Sequence, residues 1–359
     1  MRRISVLFIL LLFALTSGCS YNSANVFNKG EITYDNTVSF IDVGQGDSIL
    51  VKSNGCYMLV DAGEEDKGSV VAEYIRNEGI DKLDYVVATH PHSDHIGGMD
   101  DILNTFQVDN IIMPDMVTST KCFENMLNAV ENKNINAIVG QAGYDFELGN
   151  FKCSIVGPVT IGDDANNNSV VIKLVYGNDS ILLTGDCSKA EETDIADSGA
   201  DISANLLKAG HHGSSTSSSD KFVSMVSPQI VVISCGKDNE YGHPHKETLD
   251  TFNKYGVKVY RTDEEGTVTA VCSGNGISMV TDNTVTEDTD TENTYTENTD
   301  TDDKNNENVS YILNKGTKKF HNADCSSAES ISEKNRQEYT GTREELIKTG
   351  YAPCGICKP

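Results

Sequence analysis

Residues 89–95 read THPHSDH, placing His90, His92 and His95 around Asp94 in a chain that has only eight histidines. His90 and His92, two apart in a turn, can face one cation, and Asp94 and His95 can reach a second beside it. The cluster follows the apolar run LDYVVA, and other strand-like runs end in the same way. YMLVDAG ends in Asp61, while SVVIKLVYGNDSILLTGD reads as a hairpin turning at Gly177 to Asp179 and ending in Asp186. NLLKAGHH delivers His211 and His212. A carboxylate at the end of a buried strand needs compensation, and a shared pair of divalent ions supplies it. The pattern is consistent: strand ends carry the polar, metal-capable groups.

Between residues 32 and 281, apolar strand-like runs alternate with helix-period segments, so a mixed α/β domain is expected there. TVSFIDVGQGDSILV reads as two strands around a glycine-containing turn, with Gln45 and Asp47 holding that turn or, alternatively, its glycines cradling a phosphate. GSVVAEYIRNEG places Val70, Val71, Tyr74 and Ile75 on one helical face, and CFENMLNAV does so for Phe123, Met126, Leu127 and Val130.

Two segments fall outside any core. Residues 1–19 have a basic start, an apolar run from Ile4 to Leu15 and small residues before Cys19, the pattern of an export signal. Residues 282–308 form a Thr/Asp/Glu/Asn tract that cannot bury enough surface to offset its ordering entropy and is read as a disordered linker. The formal net charge of −26 resides partly there. A chain this acidic does not hold nucleic acid by bulk electrostatics; a local basic groove or metal ions are needed. Six cysteines, Cys56, Cys122, Cys153, Cys187, Cys235 and Cys272, are scattered through the central domain and are expected as buried free thiols, with disulfides open. Past the linker, residues 309–359 carry His321, Cys325, Cys354 and Cys357 with the spacing of a structural zinc site, which a segment so short needs as a staple.

THPHSDHIGG resembles the HxHxDH signature of the metallo-β-lactamase fold, and LVDAG, LLTGD and HHGS resemble its other metal-binding segments. More narrowly, FIDVGQGDSILV, NNNSVVIKLVYG, LLKAGHHGS and YGHPH are similar to the soluble hydrolase domain of the ComEC/Rec2 competence proteins. The resemblance implies an αββα sandwich with a dinuclear centre of zinc or manganese. By it, His90 and His92 are ligands of the first metal, Asp94 and His95 of the second, and Asp186 bridges; His211 is the last ligand, with His212 next in line. Asp61 would orient the centre from behind. The family's third motif usually carries a histidine where this chain has NNNS, so the first metal is expected to be more open and its surroundings richer in oxygen, which admits manganese. Two ions about 3.5–4 Å apart would lower the pKa of a bridging water and hold the hydroxide for attack on a phosphodiester. Asp94, Asp61, His243 and His245 are the expected catalytic set, with His243 and His245 donating to a phosphate oxygen or protonating the leaving group, or else stabilising their loop. Asn167, Ser169 and Ser214 are expected to face substrate.

LTSGC resembles a bacterial lipobox, with threonine where leucine is more frequent, which implies lipidation of Cys19 and a membrane anchor; an uncleaved anchor or simple secretion are the alternatives. The C-terminal segment resembles the metal-binding domain of the Ada DNA-repair protein, with His321 in place of the methyl-accepting cysteine, so methyl transfer is not implied. The expected activity is a DNase on extracellular single-stranded DNA. A cell-surface phosphorylcholine or teichoic-acid phosphodiesterase, or another hydrolase of the metallo-β-lactamase fold such as a lactonase or β-lactamase, is the alternative enzyme, and a surface DNA-binding lipoprotein the alternative of another class.

Overall fold

The computed structural model describes residues 34–285 and, in the C-terminal segment, residues 309–322, 325, 328, 331–341, 346, 349 and 351–353. They belong to two compact units, one on each side of a division inside the acidic tract.

The first unit is built on two sheets. One contains β1 (Asn36–Phe40), β2 (Ile49–Ser53), β3 (Cys56–Val60), β4 (Lys82–Val87), β5 (Gln107–Met113) and β6 (Asn136–Val139). The other contains β7 (Asp145–Leu148), β8 (Phe151–Gly157), β9 (Val171–Tyr176), β10 (Asp179–Leu183), β11 (Leu206–Lys208), β12 (Ile230–Ile233) and β13 (Lys258–Arg261). The chain then returns to the first sheet with β14 (Val268–Cys272) and β15 (Ile277–Thr281), giving the orders β15-β14-β1-β2-β3-β4-β5-β6 and β13-β12-β11-β10-β9-β8-β7.

Period-two alternation explains the layering. Along β2 and β3, Ile49, Val51, Met58 and Val60 face the second sheet, where they meet Ile172, Leu174, Ile181 and Leu183. The intervening Leu50 and Leu59 face outward onto α1 (Gly68–Asn77), α3 (Met99–Thr105) and α4 (Lys121–Lys133), packing with Val71, Ile75, Ile102, Phe123 and Met126. On the far side, Val171, Leu182, Leu207 and Val231 pack with Ile195, Phe222 and Phe252 of α5 (Lys189–Ser198), α6 (Asp220–Val226) and α7 (Lys246–Lys254). Strands buried on both faces read as continuous apolar runs, which is why β9 to β12 stand out in the sequence. The expected αββα sandwich is the observed one.

Local expectations shift in three places. The buried face of α1 is centred on Val71, Ala72 and Ile75, and Val70 is 45% exposed. The turn between β9 and β10 is Gly177–Asn178, with Asp179 already in the strand. Residues Asp282–Val285, assigned by composition to the linker, form a helical turn on which the folded unit closes: Asp282 Oδ2 accepts the Thr267 N–H at 2.8 Å. Cys122, Cys153, Cys187, Cys235 and Cys272 are free thiols, whereas Cys56 is disulfide-bonded.

The second unit carries a four-stranded sheet in the order β18-β16-β17-β19, from β16 (Val309–Asn314), β17 (Lys319–Asn322), β18 (Arg336–Gly341) and β19 (Ala352–Pro353). Tyr311, Leu313, Phe320 and Leu346 form one side of its core. The signal and Cys19, most of the acidic tract, and Cys354 and Cys357 lie outside the described residues.

Candidate metal centre

One edge of the sandwich collects the C-terminal ends of β3, β4, β10, β11 and β12. They deliver Asp61, then His90 and His92, then Asp186, then His211 and His212, then the loop of residues 234–245. Asp94 and His95 sit on the short helix α2 (Ser93–Ile96) that follows β4. The β1–β2 loop closes beneath them: the Asp47 N–H donates to Asp94 O at 3.1 Å. Gly46 has φ +126°, and a Cβ there would stand 2.3 Å from Asp94 O. Glycine at that position is therefore required by the close approach to the HxHxDH turn.

Asp186 stands between two groups of metal-capable side chains. Its Oδ1 lies 3.2 Å from His95 Nε2 and 3.5 Å from His212 Nε2. Asp94 Oδ2 joins this side, 3.1 Å from His212 Nε2 and 3.8 Å from His95 Nε2. The Oδ2 of Asp186 faces the other side, 3.6 Å from His211 Nε2 and 3.9 Å from His90 Nε2, while His92 Nδ1 is 3.1 Å from His90 Nε2. One ligand atom from each of Asp94, His95, Asp186 and His212 falls within a 4.8 Å cluster. His95 Nε2 and Asp186 Oδ1 are buried and make no hydrogen bond despite facing each other. Two such atoms with imidazole and carboxylate neighbours fit a shared divalent cation of the zinc or manganese kind.

The groups behind the centre orient the imidazoles of His95 and His212. His95 Nδ1–H donates to Asp61 Oδ2 at 2.8 Å, and Asp61 also accepts the N–H and Oγ1–H of Thr89 at 2.8 and 2.7 Å. His212 Nδ1–H donates to Ser234 O at 3.0 Å. In each imidazole Nε2 is thereby left to the centre. Deeper still, Lys208 Nζ, fully buried, lies 2.5 Å from Asp47 Oδ2 and donates to Gly185 O at 3.1 Å.

Electrostatics follow from this packing. Burial opposes charge on Asp186, yet His212, His95 and His90 hold its pKa well below the usual carboxylate value. Burial likewise opposes a proton on His212, but Asp186, Asp47 and Asp94 push it up to about 9. His95 is raised well above the ordinary histidine value by Asp186, Asp94 and Asp61 against the same burial. In the metal-free protein, protons stand where cations would.

The centre opens into a cavity of about 670 Å³ lined by His92, Asp94, Asp186, His211, His212 and His243, with Gln45, Asn166 and Tyr241 on its walls and Glu64, Glu65 and Lys121 at its rim. Burial, then His212, His211 and His245, lower His243 to about 4, and its buried Nδ1 is without a partner.

Several expected residues take other positions. His212, second in line by sequence, joins Asp94 and His95, while His211 lies on the His90 side of Asp186. His245 spends both ring nitrogens on backbone: Nδ1 accepts the Ser215 N–H at 2.9 Å and Nε2 donates to Tyr241 O at 3.1 Å, which is the loop-stabilising role. Ser169 is buried and accepts the Asp186 N–H at 3.1 Å, Asn167 is bonded to Ser188, and Ser214 is bonded to Thr216 within its own turn. None of these three lines the cavity; Asn166 does. Lys208, Asn166 and Tyr241 are not singled out by sequence, although a lysine inside the apolar strand LLKAG was a usable signal.

In the second unit His321 Nδ1 and Cys325 Sγ are 3.6 Å apart and both residues are buried, so two of the four expected zinc ligands meet.

Sequence comparison adds independent findings. The family described as "Metallo-beta-lactamase superfamily" matches residues 41–237. "ComE operon protein 3" of Bacillus subtilis is 28% identical over 66% of this chain and 33% of its own length. "Recombination protein 2" of Haemophilus influenzae is 30% identical over 64% of this chain and 28% of its own, and "Competence protein ComA" of Neisseria gonorrhoeae 30% identical over 64% and 31%. The chain thus spans about a third of the length of these relatives.

Proposed function

Because the chain belongs to the metallo-β-lactamase superfamily, whose members are generally metal-dependent hydrolases, we propose that it is an exported phosphodiesterase that cleaves extracellular single-stranded DNA. The observation that carries this reading is the placement of Asp186 between two groups of metal-capable side chains, with Asp94, His95 and His212 beside one oxygen and His90 and His211 beside the other, His92 adjoining His90. A phosphodiester suits a paired site because its two non-bridging oxygens can be neutralised together. The names of the relatives, competence and recombination proteins, support DNA over other phosphodiesters.

Two divalent ions held there would supply Lewis acidity and lower the pKa of a water. The protein's own groups do the rest. Asp61 and the Ser234 carbonyl keep the Nε2 atoms of His95 and His212 pointed at the centre. His243, neutral at pH 7, offers a hydrogen bond to a phosphate oxygen or to the departing oxygen; its low pKa leaves almost no imidazolium at pH 7 to protonate a leaving group, which narrows the role read from sequence. Gln45 accepts the Gly236 N–H through Oε1 at 3.2 Å, leaving its buried Nε2 unpartnered in the cavity wall as a second donor.

Lipidation at Cys19 would tether the enzyme to the outer face of the membrane; among the described residues no helix is long and apolar enough to cross one. Glu64 and Glu65 at the rim favour a second reading, a wall-polymer or phosphorylcholine phosphodiesterase whose cationic head group they would attract.

The test is a time course of cleavage of end-labelled single-stranded DNA by purified protein with Mn²⁺, beside Asp94→Ala. Turnover lost in the variant supports the nuclease. No cleavage by wild-type protein that has bound two metals removes it and moves the search to wall polymers. A DNA-binding protein without turnover would instead lose its gel shift on removal of residues 309–359.

A further inference from the structure

We propose that Tyr241, backed by His243, is a nucleobase-stacking platform at the mouth of the metal cavity, so that the enzyme selects phosphodiesters flanked by an aromatic base. This rests on the phosphodiesterase reading and specifies its substrate class. Tyr241 is 63% exposed, although it lines the same cavity as Asp94, Asp186 and the histidines. Its ring lies nearly parallel to that of His243, with centroids 5.6 Å apart and an interplanar angle of 19°. One face is thus supported by a ring already at the centre.

An exposed tyrosine alone needs no explanation. This one sits on a loop whose backbone is tied by its own hydrogen bonds. Asn239 Nδ2 donates to Gly236 O at 2.8 Å and His243 O at 2.6 Å, and its Oδ1 accepts the His243 N–H at 3.0 Å. The His245 N–H donates to Gly213 O at 3.0 Å, and its ring grips the Tyr241 carbonyl. A rigid aromatic gains stacking energy without a large ordering cost.

Beside the platform, Gln45 Nε2, His243 Nδ1 and Asn166 Oδ1 are buried without hydrogen-bond partners in walls of the same cavity. They are suited to the polar part of a nucleotide, with the base on Tyr241.

The test compares two single strands of roughly fifteen units with the same phosphodiester backbone, one of thymidines and one of abasic tetrahydrofuran units. With the full chain and Mn²⁺, wild-type protein is expected to favour the thymidine strand by about tenfold in kcat/KM, the range of one base–aromatic stack. Tyr241→Ala should bring that ratio toward one, and Tyr241→Phe should retain it. Equal cleavage of both strands by wild type, or an undiminished ratio in Tyr241→Ala, overturns the platform while the phosphodiesterase stands. Cleavage of neither strand by wild type overturns both.

Discussion

Lys208 and Asp47 form an ion pair sealed beneath the metal centre, with Nζ 2.5 Å from Oδ2 and side-chain exposures of 0% and 1%. Burial alone would raise the carboxyl, but Lys208, His212 and His95 hold it down to about 2. Removing one partner strands a charge away from water. Lys208→Met should therefore lose about 3–5 kcal/mol of unfolding free energy. The double variant Asp47→Asn/Lys208→Met should recover a large part of it. Urea titrations of the four proteins close the cycle, and a Lys208→Met protein as stable as wild type would show that the pair contributes nothing.

Metal binding should release protons. His95 and His212 are both raised in the metal-free protein, His212 to about 9, so both imidazoles are protonated at pH 7 and must become neutral to bind a cation. Loading with Mn²⁺ at pH 7 is expected to release about two protons from these groups, and affinity should rise with pH until about 9. Calorimetry in buffers of different ionisation heat counts the protons. Binding without release would mean that neither histidine is a ligand.

Much of this site is legible because its residues interrupt apolar runs. Asp61, His90 and Asp186 end strands that have no other use for a polar group, and Asp94 and His95 follow within one turn. The layering is legible for the same reason, since two-face burial writes continuous apolar strands. What the sequence hides is which distant polar group each loop residue will meet. Ser169 and Asn167 look like substrate contacts in isolation, yet one accepts the backbone N–H of Asp186 and the other turns to Ser188. The order of His211 and His212 is hidden too: both have positive φ, 52° and 53°, a local backbone conformation that adjacent letters do not announce. Lys208 stands out inside an apolar strand, but its partner Asp47, far off in the chain, does not show until the fold places the two together.

The second unit should hold its own metal. If His321 and Cys325 are zinc ligands, His321→Ala in the full chain should lower bound zinc by about one equivalent and leave the hydrolase centre loaded. Elemental analysis after dialysis gives the count; an unchanged zinc content in the variant removes the staple.

His243 and His245 should separate cleanly. His243→Ala removes an unpartnered donor from the cavity and is expected to lower kcat by roughly 100-fold, with little change in thermal stability. His245→Ala breaks two ties to backbone, so its main effect should be a loss of about 1–3 kcal/mol in stability. Parallel kinetics and thermal melts distinguish them, and a stability loss confined to His243→Ala would reverse the assignment.

Glu191, in the first turn of α5, gives a second pH dependence. Its side chain packs under the β8–β9 loop, accepting the Val159 N–H at 2.7 Å, and burial pushes the carboxyl up to about 7. The folded pKa exceeds the unfolded one, so between roughly pH 4.5 and 7 the folded protein keeps a proton that the unfolded chain has lost. Stability from this group therefore falls as pH rises through that window, and the deficit is complete above it. Glu191→Gln keeps an oxygen to accept the Val159 N–H and removes the titration. The variant should match wild type near pH 4.5 and exceed it at pH 8. A tenfold change in acidity carries about 1.4 kcal/mol, and with solvent screening discounted the gain at pH 8 should be on the order of 2 kcal/mol. Urea titrations at the two pH values decide it: a difference that does not grow with pH would mean that Glu191 is already ionised in the fold at pH 5 and that the Val159 N–H, not burial, governs its carboxyl.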